Sequence, residues 1–276
     1  MTGGSKKGTE MARDERPVFD ISTASQARMY DYLLGGKDNY AADRAAAETG
    51  LKIWPEGAFT ARANRAFLAR AVRYLAGEAG IRQFLDIGTG IPTAGNTHQV
   101  AQGIAPETRV VYVDYDPIVL AHARALLTSN DVGATEYIHA DLRDTPAILA
   151  QARQLLDFTK PVAVSLIAIL HAIPDSDDPR AIVGSVMDGL PSGSYLAISH
   201  PASDVLSREA EDDVIGVLNR RVQQQFTLRS REQVARLFAG LDLVRPGVVL
   251  VEEWRADPGP GDARKSAIWG TVGRKR

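Results

Sequence analysis

The chain has no cysteine among its 276 residues, which excludes disulfides, thiolate metal ligands and a cysteine nucleophile. It has no excess of charge of either sign, with 32 Lys and Arg against 34 Asp and Glu. Such a balance provides no global field to draw the protein to nucleic acid or to an anionic membrane. No apolar run approaches the ~20 residues of a membrane span, and no signal-peptide core opens the chain, so a cytoplasmic location is the expectation. Histidine is scarce, at five residues, and no two have the spacing of a metal pair. With no HExxH and no carboxylate-rich loop, no metal site is expected. What remains is ordinary globular material: 45% hydrophobic residues, enough for a sizeable core.

Residues 1–16 are polar and rich in glycine and charge and read as a disordered tail. Residues 17–276 read as one domain, with no internal repeat and no separating linker, and it opens with a helical segment over 17–80. Within that segment, helices are expected over Ser25–Leu34, Tyr40–Thr49 and about 58–76. After Gly80, short apolar runs alternate with helical stretches. The strands are expected at 83–88, 110–114, 135–141, 162–170 and 195–200, with helices near 92–103, 117–128, 146–156 and 179–190. Asp116-Pro117, Thr145-Pro146 and Asp178-Pro179 each offer a cap residue before a proline. Strands each followed by a helix indicate βαβ units around a parallel sheet. Helices near 204–223 and 231–239, the second opened by a Ser230/Gln233 capping box, precede strands near 242–252 and 266–272. A turn at 258–262 joins those two strands.

The informative stretch is Asp86-Ile87-Gly88-Thr89-Gly90. It leads from a strand into two glycines, with a helix expected from Pro92. Without Cβ atoms, Gly88 and Gly90 let the backbone turn sharply and let a ligand approach closely. The dinucleotide fingerprint needs a third glycine where this chain has Thr93, and the Lys-Ser/Thr ending of a phosphate loop is missing. Asp-x-Gly-x-Gly remains, the first motif of S-adenosylmethionine (SAM) methyltransferases. The next strand ends in Asp114, followed by Tyr115. A carboxylate there can accept both hydroxyls of a ribose, and Asp116 is available to cap the next helix. The third strand ends in Asp141-Leu142, an acid for an adenine amino group and a side chain for its ring.

These segments, together with 27–40, 86–102 and 110–127, resemble an actinobacterial family of SAM-dependent methyltransferases of unknown substrate. The resemblance runs from about residue 18 to the end, and its most distinctive part is YDYLLGGKDNY. It implies an α/β, Rossmann-like methyltransferase fold. The sheet should be mostly parallel and seven-stranded with an antiparallel last strand, helices on both faces and an N-terminal helical lid. It also implies that Gly88, Asp114, Asp141 and Leu142 contact the cofactor, SAM.

Methyl transfer needs alignment more than it needs a catalytic side chain. One candidate base is His171, after the fourth strand, with an ordinary pKa near 6.5. The alternative is that it merely packs or bonds a loop. His200, ending the fifth strand, is a weaker candidate. His139 is expected to be a satisfied interior residue, while His98 and His122 lie within helices. Gly36, Lys37 and Tyr40 read either as a helix cap with a nearby cation or as a lid on the cofactor. The reaction expected is methyl transfer to a small-molecule acceptor, with no nucleic-acid or membrane partner. A non-catalytic SAM-binding sensor and a nicotinamide oxidoreductase are the alternatives.

Overall fold

The computed structural model describes residues 20–126, 129–205, 215, 216, 219, 226–258 and 264–276. Five strands, β1 (Gln83–Ile87), β2 (Arg109–Asp114), β3 (Ala134–His139), β4 (Ala163–Ile167) and β5 (Tyr195–Pro201), pair in parallel. Successive side chains of a strand face opposite ways, and here both faces are apolar. Phe84, Val110, Tyr112 and Ala197 pack into one core cluster. Leu85, Val111, Leu196 and Ile198 pack into the other. A sheet buried on both faces is what near-continuous Val/Ile/Leu strands produce.

The strand order is β3-β2-β1-β4-β5, continued by β8 (Ile268–Lys275) and then β6 (Leu241–Leu243). A short β7 (Val249–Leu250) also pairs with β8. β8 is antiparallel to β5, as expected. The single strand expected near 242–252 is two pieces, because Val244–Val248 leaves the sheet as a turn in which Gly247 N–H donates to the Val244 carbonyl at 2.9 Å. Eight strands therefore occupy seven positions. The strand order reverses direction between β1 and β4, and in such sheets the crevice at the strands' C-terminal ends takes the ligand.

The helices are α1 (Gln26–Leu33), α2 (Ala41–Ile53), α3 (Gly57–Arg73), α4 (Thr97–Gln102), α5 (Pro117–Leu126), α6 (Thr145–Ala152), α7 (Pro179–Asp188) and α8 (Arg231–Arg236). α3 continues as a wider turn through Tyr74–Glu78. The caps at Asp116 and Asp178 and the capping box at Ser230 form as expected. Two boundaries differ. α4 starts at Thr97 rather than Pro92, because Gly95 takes a positive φ and Asn96 with Gln99 closes a capping box. α6 is capped by Asp144, whose carboxylate accepts from Ala147 N–H, and Thr145 is its first helical residue. The helix expected near 204–223 and the turn at 258–262 lie largely outside the described residues. No helix among the described residues is long and apolar enough to cross a membrane.

α1 and α2 form a compact unit that carries its own charges. Arg28 and Asp43, 3% and 0% exposed, pair at 2.8 Å. Asp43 also accepts from the N–H groups of Ser25 and Tyr40. Buried carboxylates stay charged only when they are fully bonded in this way.

Candidate active site

A cavity of about 300 Å³ opens at the C-terminal ends of β1, β2 and β4 and runs beneath α1 and α3. That volume is in the range of small-molecule sites. Gly88 sits at its floor with φ +78°, and a Cβ there would lie 2.6 Å from the Ile169 side chain. Glycine is thus required twice, for the turn and for the packing of the loop after β4.

Asp114 is buried beside this turn. Its two oxygens accept from Gly90 N–H at 2.9 Å and from Asp116 N–H at 3.0 Å. Burial pushes its pKa up, and these donors oppose the shift. Asp116 meanwhile accepts from Ile118 N–H at 2.8 Å and caps α5. Asp114 is therefore not spent on the helix, and it lines the cavity. Tyr115, 43% exposed, lies on the rim.

A smaller recess of about 30 Å³ adjoins the cavity. The two share Gly88, Asp114, Tyr115 and Ile169, and the recess adds Asp141 and Leu142. Leu142 is buried. The Asp141 carboxylate accepts from Arg143, through the backbone N–H at 2.8 Å and the guanidinium at 3.1 Å. The glycine turn and the ends of β2 and β3 thus surround not one compartment but two that share lining residues.

Gly36, Lys37 and Tyr40 are not among the residues that line either compartment. Gly36 packs against Asp31, where a Cβ would fall on the carboxylate. That carboxylate accepts from Asp38 N–H at 2.9 Å and from the Asn39 amide at 2.8 Å. Tyr40 caps α2 and stacks under the Arg28 guanidinium. The conformation of the segment is held by its own polar groups.

His171 does reach the cavity. Its Nε2 donates to Gln26 Oε1 at 2.9 Å, and its ring lies 4.4 Å from that of Phe226. Nδ1 has no protein partner. Burial pushes the imidazole down to about 3, aided by nearby His200 and Arg229. The ring therefore does not keep its ordinary value near 6.5, because a fully desolvated imidazole resists protonation. His200 is held away from the cavity, between the Pro201 carbonyl at 2.9 Å and an Arg229 N–H donor at 2.7 Å. His139 is on an exposed part of its strand rather than in the interior, and its Nε2 donates to the Tyr115 carbonyl. His98 is buried against the Tyr112 hydroxyl at 2.8 Å.

Three groups had no role assigned from sequence. Asp86 lines the cavity, accepts from Thr97 Oγ1 at 2.5 Å and is pushed up to about 6, chiefly by burial. Its signal was an acid inside an otherwise apolar strand. Asn64, 1% exposed, lines the cavity with Oδ1 unpartnered. Arg229 ties the loop that carries His171 to the end of β5, donating to the Leu170 and Ile173 carbonyls at 2.8 Å and to Asp175 at 2.7 Å. No local pattern marks either of these two, since their partners are distant in sequence. Among the described residues, no group of three His, Asp or Glu side chains could hold a metal ion.

Comparison with known proteins places this geometry in a family. The family model for S-adenosyl methyltransferases matches residues 12–276. A solved DUF574-family protein from Streptomyces avermitilis MA-4680 is 44% identical, with a TM-score of 0.89 over 93% of this chain and 99% of its own. A Thermobifida fusca YX protein, provisionally assigned as a methyltransferase, is 40% identical, with a TM-score of 0.85 over 93% of this chain and 97% of its own. A SAM-dependent methyltransferase from Anabaena variabilis ATCC 29413 is 13% identical with a TM-score of 0.50, over 75% of this chain and 84% of its own, and shares the fold. No curated protein matches. The chain belongs to the S-adenosyl methyltransferase family and is a SAM-dependent methyltransferase.

Proposed function

We propose that the protein methylates a small molecule in the cytoplasm, with residues 17–276 acting as one unit. SAM is held across the mouths of β1, β2 and β3. The observation that carries this reading is Asp114, a buried carboxylate at the end of β2 that lines the cavity and is held in place by backbone N–H groups. In this reading Asp114 accepts from the ribose hydroxyls, while Gly88 and Gly90 bring the backbone close and Tyr115 borders the ribose. Leu142 and Asp141 receive the adenine in the adjoining recess. The remaining acceptors suit the ammonium group at the amino-acid end of the cofactor: the Asp86 carboxylate and the orphaned Asn64 Oδ1 both border the cavity.

The cofactor supplies a methyl carbon already activated by its sulfonium. The protein's part is alignment, which can contribute several kcal/mol, and exclusion of water. His171 is neutral at physiological pH and presents the Nδ1 lone pair. It can hold an acceptor proton by hydrogen bond, and despite its low basicity it can take that proton once the new bond to carbon has made it acidic. Balanced surface charge supports a small-molecule acceptor over nucleic acid.

The test is calorimetric titration of SAM into the wild-type protein and Asp114→Ala. Each hydrogen bond lost to a charged acceptor costs ~1.5–3 kcal/mol, so affinity should fall roughly ten- to a hundredfold per bond. Equal affinities would remove the ribose assignment.

A further inference from the structure

The cavity extends beyond the strand mouths, between α1, α2 and α3, where Leu33, Leu34, Leu51 and Trp54 form its wall. The polar groups at this end are already engaged. Asp31 is taken by Asp38 N–H and the Asn39 amide. Arg65 donates to the carbonyls of Ala94 at 3.2 Å and Gly95 at 3.1 Å. Trp54 Nε1 donates to Thr60 Oγ1 at 3.3 Å, and Thr60 donates to the Ser266 carbonyl at 2.8 Å. The Tyr30 hydroxyl lies between the Asn64 amide and the Ala61 carbonyl. Arg65 and Asp31 are held by neutral groups alone, but a charged ligand group lying against Leu33, Leu34, Leu51 and Trp54 would lose its hydration there.

One polar island faces the cavity from the end of β4. His171, 6% exposed, and Gln26 hold each other through Nε2 and Oε1, which leaves His171 Nδ1 and Gln26 Nε2 both buried and unpartnered. Because Nε2 carries the proton donated to Gln26, Nδ1 is an acceptor, and the free amide nitrogen is a donor. A neutral group that both donates and accepts, as a hydroxyl does, satisfies the pair. An ammonium offers no lone pair to the amide, and a carboxylate offers no proton to the imidazole. Phe226 and Trp54 add ring faces to the same cavity.

We infer that this end is the acceptor site, and that the acceptor is a neutral, ring-bearing hydroxyl compound methylated on oxygen. The inference deepens the methyl-transfer reading and rests on it. The hydroxyl oxygen forms the new O–CH3 bond as the S–CH3 bond breaks. The pair of electrons from that bond stays on sulfur, and the hydroxyl proton passes to His171 Nδ1. A phenolic hydroxyl suits a weakly basic imidazole better than an aliphatic one, since it gives up its proton more readily.

The experiment is calorimetry on the full chain saturated with S-adenosylhomocysteine, titrated with a matched set of probes. These are 2-naphthol, 2-methoxynaphthalene, 2-naphthoate and 2-naphthylmethylamine. The neutral hydroxyl compound should bind at least tenfold tighter than the charged analogues and than the ether. His171→Ala should erase the preference for hydroxyl over ether. Leu51→Glu should weaken 2-naphthol at least tenfold while S-adenosylhomocysteine affinity stays within threefold. Charged probes binding as well as 2-naphthol, or 2-naphthol failing to bind, would overturn the acceptor class even if S-adenosylhomocysteine binds normally. Failure of S-adenosylhomocysteine to bind the wild-type protein would bring down the methyl-transfer reading and this inference with it.

Discussion

Two regions carry the most distinctive parts of the sequence, and they use their polar residues in opposite ways. In the helical unit of α1 and α2, every buried charge is answered from within: Arg28 by Asp43, and Asp31 by its own loop. At the mouths of β1 and β2, Asp86 and Asp114 are buried among backbone donors and a hydroxyl, with no ion pair among the described residues, Arg65 acting on Asp86 through its charge alone, and with pKa values raised by burial. A region that satisfies itself is scaffold. A region that keeps its carboxylates short of positive charge is prepared for a ligand that brings some.

The largest effect that would sharpen this contrast belongs to the scaffold. Arg28→Ala leaves Asp43 buried without its cation, and breaking such a pair costs about 3–5 kcal/mol. Thermal unfolding should fall by roughly 10 °C. A shift of only a degree or two would show that the pair is not what holds α1 to α2.

The second effect belongs to the mouth. Asp86 is raised from 3.8 to about 6 in the fold, so the folded state binds its proton more firmly than the unfolded state does. This contribution favours folding at low pH and is lost as pH rises from 3.8 toward 6. A cationic ligand prefers the ionised form. SAM affinity should therefore strengthen roughly tenfold between pH 5 and 7, because only about a tenth of the carboxylate is ionised one unit below its pKa. Asp86→Asn should flatten that profile. Titrations at several pH values check both, and an unchanged profile in the variant would break the assignment.

The smallest effect is at the third strand. Asp141 is half-exposed and already neutralised by Arg143, so Asp141→Asn should weaken SAM by about threefold or less, far below the effect at Asp114. A loss comparable to that of Asp114→Ala would mean that the recess, not the glycine turn, provides the main grip.

Much of the fold was legible because its signals are local. Apolar strands, aspartates before prolines and the Asp-x-Gly-x-Gly turn each act within a few residues, and the parallel sheet follows from their alternation. Asp114 and Asp116 could be told apart because only one of them can cap α5. What stayed hidden was longer in range. Gly36, Lys37 and Tyr40 could be read as a cap or as a lid because paired glycines exceed what a helix cap needs. The missing reason was Asp31, whose carboxylate occupies the space a Cβ at Gly36 would take. The pKa of His171 could not be read from sequence either, since burial by Phe226 and the approach of Arg229 arise only in the fold. Asp86 was visible as a motif letter, but its burial was not.

The claim at the centre is that an adenosyl group lies over β1, β2 and β3 with its sugar on Asp114. A crystal structure of the protein with S-adenosylhomocysteine tests it directly. The ribose hydroxyls should lie within about 3.2 Å of the Asp114 oxygens, with the adenine beside Leu142. Density for the ligand elsewhere, with Asp114 contacting only Gly90 and Asp116, would contradict it.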